Sequence, residues 1–192
     1  MIIGTHNTMT YLPTKKWWMR PLAIFAKCQD KSLEQQIALG ARYFDIRVRF
    51  DKNGNPILAH GLVEYEGNVW DALKTIAQCV EVPYVRIMLE TMKDANPYQR
   101  KFFYTFKKHV MEFYPTLRFR FMYKNPFKVV ESHWSGVSFS EVSRWIHKWW
   151  ELLLTPRFFA KEQCDKIVKL YDSKFNGIIA MDFYARVIKI NK

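Results

Sequence analysis

Tyr43-Phe44-Asp45-Ile46-Arg47-Val48-Arg49-Phe50 is the stretch on which the fold turns. Aromatic and β-branched residues alternate with charged ones, so residues 41–50 are predicted as a strand. Side chains point to opposite faces in turn, which puts Phe44, Ile46, Val48 and Phe50 on one side and Asp45, Arg47 and Arg49 on the other. Asp45 and Arg47 then stand about 7 Å apart along one face. Buried charges are costly unless paired, so a charged face on a central strand usually lines a site. The ordinary alternative is an edge strand with a solvated face.

The flanking segments alternate between strand and helix signals. Residues 1–4 are a short apolar first strand, and Ser32-Leu33-Glu34-Gln35 is a capping box opening a helix that stops at Gly40. After a turn at 51–55 the chain returns as a strand over 56–60. Asn68 caps a helix to about Val80, residues 82–90 form a strand, and 94–114 form a long amphipathic helix. Residues 117–123 are a further strand. Ser138 and Glu141 read as a second capping box, before a helix ending near Leu154. Thr155-Pro156 opens another helix to about 172, and 178–184 is the last strand. Strands separated by helices imply a mostly parallel sheet, either doubly wound or closed. A full (β/α)₈ barrel takes about 250 residues. With 192 residues the expectation is one α/β domain over 1–192, a short or distorted TIM-type barrel.

Composition narrows the partner. Thirty basic against eighteen acidic residues give a net charge of +12, which suits an anionic partner: membrane lipid, phosphate ester or nucleic acid. Cys28, Cys79 and Cys164 are too few and too scattered for a disulfide framework or a zinc pattern. No apolar run reaches membrane-spanning length. No signal peptide opens the chain, so the expectation is a cytoplasmic protein, or a secreted one if a leader has been removed.

Polar residues gather at the strand ends. His6 and Asn7 follow the first strand, His60 ends the return strand, Glu90 ends the next, and Asp182 lies in the last. In α/β folds ligands bind beyond the carboxyl ends of the strands, so these residues with Asp45 and Arg47 are read as one acid–base site. A lone histidine is more often structural than catalytic. Two, each at a strand end, favour function.

The motifs resemble a known family. Gly4-Thr5-His6-Asn7-Thr8-Met9-Thr10 is similar to the opening motif of the phosphatidylinositol-specific phospholipase C catalytic domain. The run from Ser32 to Arg47 is similar to its second block, where a Gln-rich helix leads into a Gly-x-Arg-Tyr strand carrying the acidic residue. Ala59-His60-Gly61 resembles its second histidine motif, and 83–90 the strand that follows; 178–183 is a weaker match to a late strand. The resemblance covers roughly the first ninety residues in order. Nothing between about 95 and 175 carries a motif.

The resemblance implies a distorted TIM-type barrel of the PLC-like phosphodiesterase kind. It also implies cleavage of phosphatidylinositol or a similar phosphodiester, by attack of the inositol 2-hydroxyl on phosphorus to give a cyclic phosphodiester. On that reading His6 is the base and His60 the acid, since imidazole serves either role near neutrality. Asp182 orients His6, Arg47 holds the phosphate oxygens, and Asp45 positions Arg47 or the hydroxyl. Asn7 and Glu90 are substrate-binding candidates, Glu90 alternatively pairing with Arg47. Calcium-dependent members use an Asn, two acidic residues on the second strand and a Glu on the next. Asn7, Asp45 and Glu90 match three of these, but Arg47 holds the fourth position. A guanidinium there replaces the cation, so no cofactor is favoured and calcium is the alternative.

Lys15-Lys16-Trp17-Trp18 reads as a loop near the site mouth. Tryptophan beside lysine suits a bilayer interface, and a packed role is as well supported. The tryptophans at 145, 149 and 150 read as a core stripe, Arg118 and Arg120 as a solvated strand face, and His109, His133 and His147 as non-catalytic. The expected partner is an anionic phospholipid or soluble phosphodiester, met by a monomer with peripheral membrane contact. Nucleic acid is not expected, because no recognition motif is present. Two competing functions remain. A glycerophosphodiester phosphodiesterase would resemble His-Arg-Gly where this chain has Gly-Thr-His-Asn. A non-catalytic basic module binding lipid head groups or nucleic acid would not need two intact histidine motifs.

Overall fold

A computed structural model of the chain describes residues 1–91, 96–123, 129–134, 136–142, 163, 165–167, 169–170 and 173–183. Its strands are β1 (Ile2–Thr5), β2 (Tyr43–Phe50), β3 (Pro56–His60), β4 (Val63–Glu64), β5 (Tyr84–Leu89), β6 (Arg118–Tyr123), β7 (Val129–Ser132), β8 (Ser138–Val142) and β9 (Gly177–Met181). The helices are α1 (Arg20–Ala26), α2 (Leu33–Ala38), α3 (Val69–Cys79) and α4 (Pro97–Phe113).

The strand order is β7-β6-β5-β2-β1-β9-β8, with β3 and β4 attached to β2 as a hairpin extension. Among the described residues, β1–β2, β1–β9, β2–β5, β5–β6 and β8–β9 pair parallel, while β2–β3, β3–β4 and β6–β7 pair antiparallel. The sheet curls as part of a barrel. β2 is central, flanked by β1 and β5, so its charged face is not a solvated edge: Asp45 is fully buried and Arg47 nearly so. The opposite face, with Phe44, Ile46, Val48 and Phe50, packs with Leu73, Ile76, Phe103 and Phe106 of α3 and α4. Burying that apolar layer drives the helices onto the sheet.

Local signals place several of these elements. Ser32 caps α2 through Gln35 N, and the Gln35 side chain returns to Ser32 N, completing the box. Asn68 and Asn96 cap α3 and α4 through the amides of Trp70 and Gln99. Gly4 permits the β1–β2 approach, since a Cβ there would meet Tyr43 O at 2.1 Å.

Two expectations are corrected. Ser138 and Glu141 do not cap a helix. Residues Ser138–Val142 form β8, paired with β9 in register from Ser138↔Gly177 to Val142↔Met181. A capping box is a local pattern, and here long-range contacts outweigh it: Phe139 packs on Tyr43 at 5.5 Å, while Glu141 bonds Arg86. The helix expected to continue to Leu154 lies outside the described residues, as do the tryptophans at 145, 149 and 150 and His147. Trp17 and Trp18 are not in a loop but in a 3₁₀ turn, Trp17–Met19, that runs into α1, with proline in the first helical turn. On the basic face of β6, Arg118 is exposed and Arg120 partly buried; Arg120 lies over the ring of Trp134, at 5.5 Å, and Arg118 lies over Tyr84 at 5.2 Å and donates to its hydroxyl. His109 is exposed on α4, and the His133 side chain is 44% exposed beside Glu131.

Candidate functional site

The site forms where β1, β2, β3, β5, β8 and β9 end or pass on the concave side of the sheet. Its first residues lie in the tight turn after β1. Asn7 is left-handed, with φ of 48°, a conformation asparagine tolerates. Thr8 fixes the turn: its hydroxyl pairs with that of Thr5 at 2.8 Å and accepts from Asp45 N. Thr10 Oγ1 accepts from the amides of Cys28 and Gln29 and donates to Asn7 O. Gln29 Nε2 donates to His6 O and Met181 O, while Gln36 Nε2 donates to Thr8 O. These buried amides satisfy carbonyls that leave the β ladder at its end.

His6 is buried, and its Nδ1 lies 2.7 Å from Asp182 Oδ1. A carboxylate there fixes the tautomer with the proton on Nδ1 and turns the Nε2 lone pair into the site. Nη2 of Arg47 meets that lone pair at 2.6 Å. Glu141 Oε1 lies 3.3 Å from the same nitrogen. Asp182 precedes Phe183, another left-handed residue, with φ of 46°, where the chain leaves β9 and Phe183 N donates to Cys28 O.

His60 sits across the site at the end of β3. Its Nδ1 donates to Ala26 O at 2.8 Å, so its Nε2 faces inward. Asn7 Nδ2 lies within 3.3 Å of Nε2 of both histidines. The two imidazoles thus flank one small space with Arg47 on its wall.

Arg47 uses all three of its nitrogens within the protein: Nε on Asp45 at 3.1 Å, Nη1 on Glu90 at 3.4 Å, and Nη2 on His6. Asp45 is also held by Arg86, Nε to Oδ1 at 2.9 Å and Nη2 to Oδ2 at 2.7 Å, and accepts Asn7 N. Glu90, fully buried, accepts Gly61 N at 2.8 Å as well as Arg47. That geometry supports pairing with Arg47 over contact with a head group. Arg49 donates to Glu90 O and Gly61 O, pinning the hairpin that carries His60.

The buried charges set the protonation states. Burial alone would raise Asp45, but Arg47 and Arg86 hold it well below the usual carboxylate range. Burial would lower His6, and the carboxylates of Glu141 and Asp182 outweigh it, raising His6 above its ordinary value. His60 is pushed down to about 4 by burial and by the nearby Arg47 charge. Burial works to raise Glu141, but the neighbouring His6 and Arg86 bring it to about 2. With no anion bound, the acid of the resemblance is therefore the histidine that is harder to protonate. An anion placed against Arg47 would offset the guanidinium charge that lowers both imidazoles.

Asn7, Asp45 and Glu90 do not make a calcium site as arranged. Both carboxylates already accept guanidinium protons, and Arg47 and Arg86 repel a cation from Asp45. Among the described residues, one group of metal-ligating atoms converges: those of His6, Cys28 and Asp182 lie within 4.8 Å of one another. Burial pushes the Cys28 thiol up, with Asp182 adding to the effect, so it stays protonated.

His6, Asn7, Asp45, Arg47, His60, Glu90 and Asp182 are thus brought together, while Trp17, Trp18, Lys15 and Lys16 lie outside the site. Arg86, Glu141, Cys28 and Gln29 were not read from the sequence as site residues. A charge breaking the apolar run of β5 was the available signal for Arg86.

No known protein-family profile matches the chain. A curated relative, the 1-phosphatidylinositol phosphodiesterase of Listeria monocytogenes, is 33% identical over 94 residues, which are 48% of this chain. The match spans 27% of the length of that relative. The solved structure of the phosphatidylinositol-specific phospholipase C from Listeria monocytogenes superposes with a TM-score of 0.63 at 17% identity, covering 100% of this chain and 92% of that one. A variant of the Staphylococcus aureus phosphatidylinositol-specific phospholipase C gives 0.61 at 13% identity, covering 100% and 91%. The fold is that of these bacterial phospholipases, a distorted TIM-type barrel.

Proposed function

We propose that the chain is a phosphodiesterase of the phospholipase C type, cleaving phosphatidylinositol or a close relative by acid–base catalysis through a cyclic phosphodiester. One observation carries this reading: two histidines from distant parts of the chain face one amide nitrogen, with an arginine against the first. The relatives named above act on phosphatidylinositol, by their names, and share the fold.

On this reading the phosphate enters between the imidazoles and takes the Arg47 guanidinium onto its oxygens, which frees His6 Nε2. His6 removes the proton from the hydroxyl beside the phosphate, and Asp182 stabilises the imidazolium that forms. The hydroxyl oxygen bonds to phosphorus, the bond from phosphorus to the diacylglycerol oxygen breaks, and His60 protonates the departing oxygen. Arg47 offsets charge developing at phosphorus, a role in which fixed donors lower the barrier most. Asp45 and Glu90 hold Arg47. The hold of the two arginines on these carboxylates supports a reading without a metal.

Membrane contact belongs to the same reading. Trp17 is 77% and Trp18 52% exposed, and Leu22, Ile24 and Phe25 of α1 are exposed beside them. Lys15, Lys16, Arg20 and Lys27 surround this apolar surface. Such a combination suits an anionic bilayer interface. α1 ends at Ala26, whose carbonyl holds His60, so the surface adjoins the site. Among the described residues no helix is long and apolar enough to cross a membrane.

The test is phosphorus NMR of phosphatidylinositol in mixed micelles, with EDTA and then with calcium. A cyclic inositol phosphate signal under EDTA, absent in His6→Ala, supports the reading. A signal that needs calcium overturns the metal-free part of it. No product in either condition overturns the substrate assignment.

A further inference from the structure

Glu141 is a carboxylate that the two-histidine scheme does not use. It stands on β8, and its two oxygens face different partners: Oε2 accepts from Arg86 Nη2 at 2.8 Å, and Oε1 lies 3.3 Å from His6 Nε2. Arg86 does not need it, because Asp45 already accepts two of its hydrogen bonds. The Arg86 link fixes where Glu141 points. Of the carboxylates around His6, those of Asp45 and Asp182 are at most 2% exposed, while Glu141 is 32% exposed.

We propose that Glu141, oriented by Arg86, is a positioning residue for His6, a role that rests on the assignment of His6 as the base. When His6 takes the hydroxyl proton on Nε2, the new N–H lies beside Glu141 Oε1, just as Nδ1–H lies against Asp182. The imidazolium is then flanked by a carboxylate at each ring nitrogen. The proton moves from hydroxyl oxygen to Nε2 and no other bond changes at His6. In the resting site Arg47 donates to the Nε2 lone pair, so Glu141 takes over as Arg47 turns to the phosphate.

The electrostatic surroundings agree. The charged and titratable groups facing His6 are Asp182 at the end of β9, Glu141 on β8, Asp45 and Arg47 on β2, His60 at the end of β3 and Cys28 before α2, with Arg86 of β5 behind Asp45. Against the effect of burial, the charges of Glu141 and Asp182 and the Asp182 hydrogen bond together raise His6.

The test is NMR titration of the His6 imidazole in the whole chain, assigned by its loss in His6→Ala, for the wild type, Glu141→Gln and Glu141→Asp. Removing an opposite charge this close lowers a histidine pKa by about one unit or more. The expected result is a downward shift of His6 in Glu141→Gln and a smaller one in Glu141→Asp, with the acid limb of kcat/KM moving to lower pH alongside and kcat falling about tenfold. An unchanged His6 titration in Glu141→Gln overturns the proposal and leaves Glu141 as a partner of Arg86 only. If Glu141→Gln does not fold, the Asp variant decides by the same shift. A wild type without phosphodiesterase activity overturns the functional reading instead, and the titration still decides whether Glu141 governs His6.

Discussion

Nη2 of Arg47 lies 2.6 Å from Nε2 of His6, so in the free protein the cation proposed to bind phosphate and the nitrogen proposed to accept the proton hold each other. Arg47 also spans Asp45 and Glu90, and a guanidinium fork makes these three contacts where an ammonium cannot. Arg47→Lys keeps the charge and loses the fork. Its kcat on phosphatidylinositol micelles is expected to fall by roughly 10²–10³, the scale for removing a fixed transition-state donor. A loss of less than tenfold would show that a point charge suffices and that the fork is not used.

His60 makes the folded chain acid-sensitive. Its folded value is about 4 against 6.5 for the free side chain. Between those values the unfolded chain binds a proton at this position and the folded chain does not. Stability from this group is therefore full above pH 6.5 and declines as pH falls to 4, by about 3 kcal/mol in all. His6 has the opposite sign: its folded value is raised, so its contribution is full below 6.5 and is lost as pH rises through the folded value. Urea midpoints measured from pH 7 to 4.5 should fall in the wild type and flatten in His60→Asn. Equal slopes in the two proteins would mean that His60 is not held neutral.

The charged face of β2 was legible because strand alternation separates Asp45, Arg47 and Arg49 from the apolar residues between them. His6, His60, Glu90 and Asp182 were legible for a related reason, as polar residues at strand ends. The partners that hold them were not. Gln29 and Cys28 lie in irregular chain between α1 and α2, where no periodicity marks them, and they reach the site only because the turn after β1 folds back on them. Glu141 was hidden by a serine three residues earlier that imitates a helix cap. Only the long-range pairing of β8 with β9 decides between the two readings. α1 went unread because seven residues opened by Arg20-Pro21 give too short a pattern.

Arg86 tests the cost of the charge network. It is buried, and its two hydrogen bonds to Asp45 balance a carboxylate with no exposure to water. Replacing one partner of a buried pair leaves the other uncompensated, at about 3–5 kcal/mol. Arg86→Met fits the stem volume and removes the charge. Its Tm is expected to fall by roughly 10 °C. Asp45→Asn in the same background should recover part of that loss, because the buried charge, left with Arg47 and Asn7 N as its partners, is then gone. A double variant no more stable than Arg86→Met would place the cost in packing around Phe139, over which the guanidinium lies at 5.3 Å.

The surface of Trp17, Trp18 and α1 should act as the membrane contact. Both tryptophans are more than half exposed, and Lys16 lies 5.7 Å from the Trp18 ring centroid, a pairing that leaves an apolar ring beside a cation. Inserting each ring at the interface is worth about 1–2 kcal/mol, close to tenfold in affinity. Vesicles of phosphatidylcholine with phosphatidylinositol should sediment the wild type, with Trp17→Ala and Trp18→Ala each weakening binding about tenfold and the pair close to a hundredfold. Raising the salt should weaken binding of all of them, because Lys15, Lys16, Arg20 and Lys27 meet the anionic lipid. Vesicle binding that is indifferent to both tryptophans, but still salt-dependent, would mean that the basic residues alone hold the protein at the surface and that the aromatic turn does not insert.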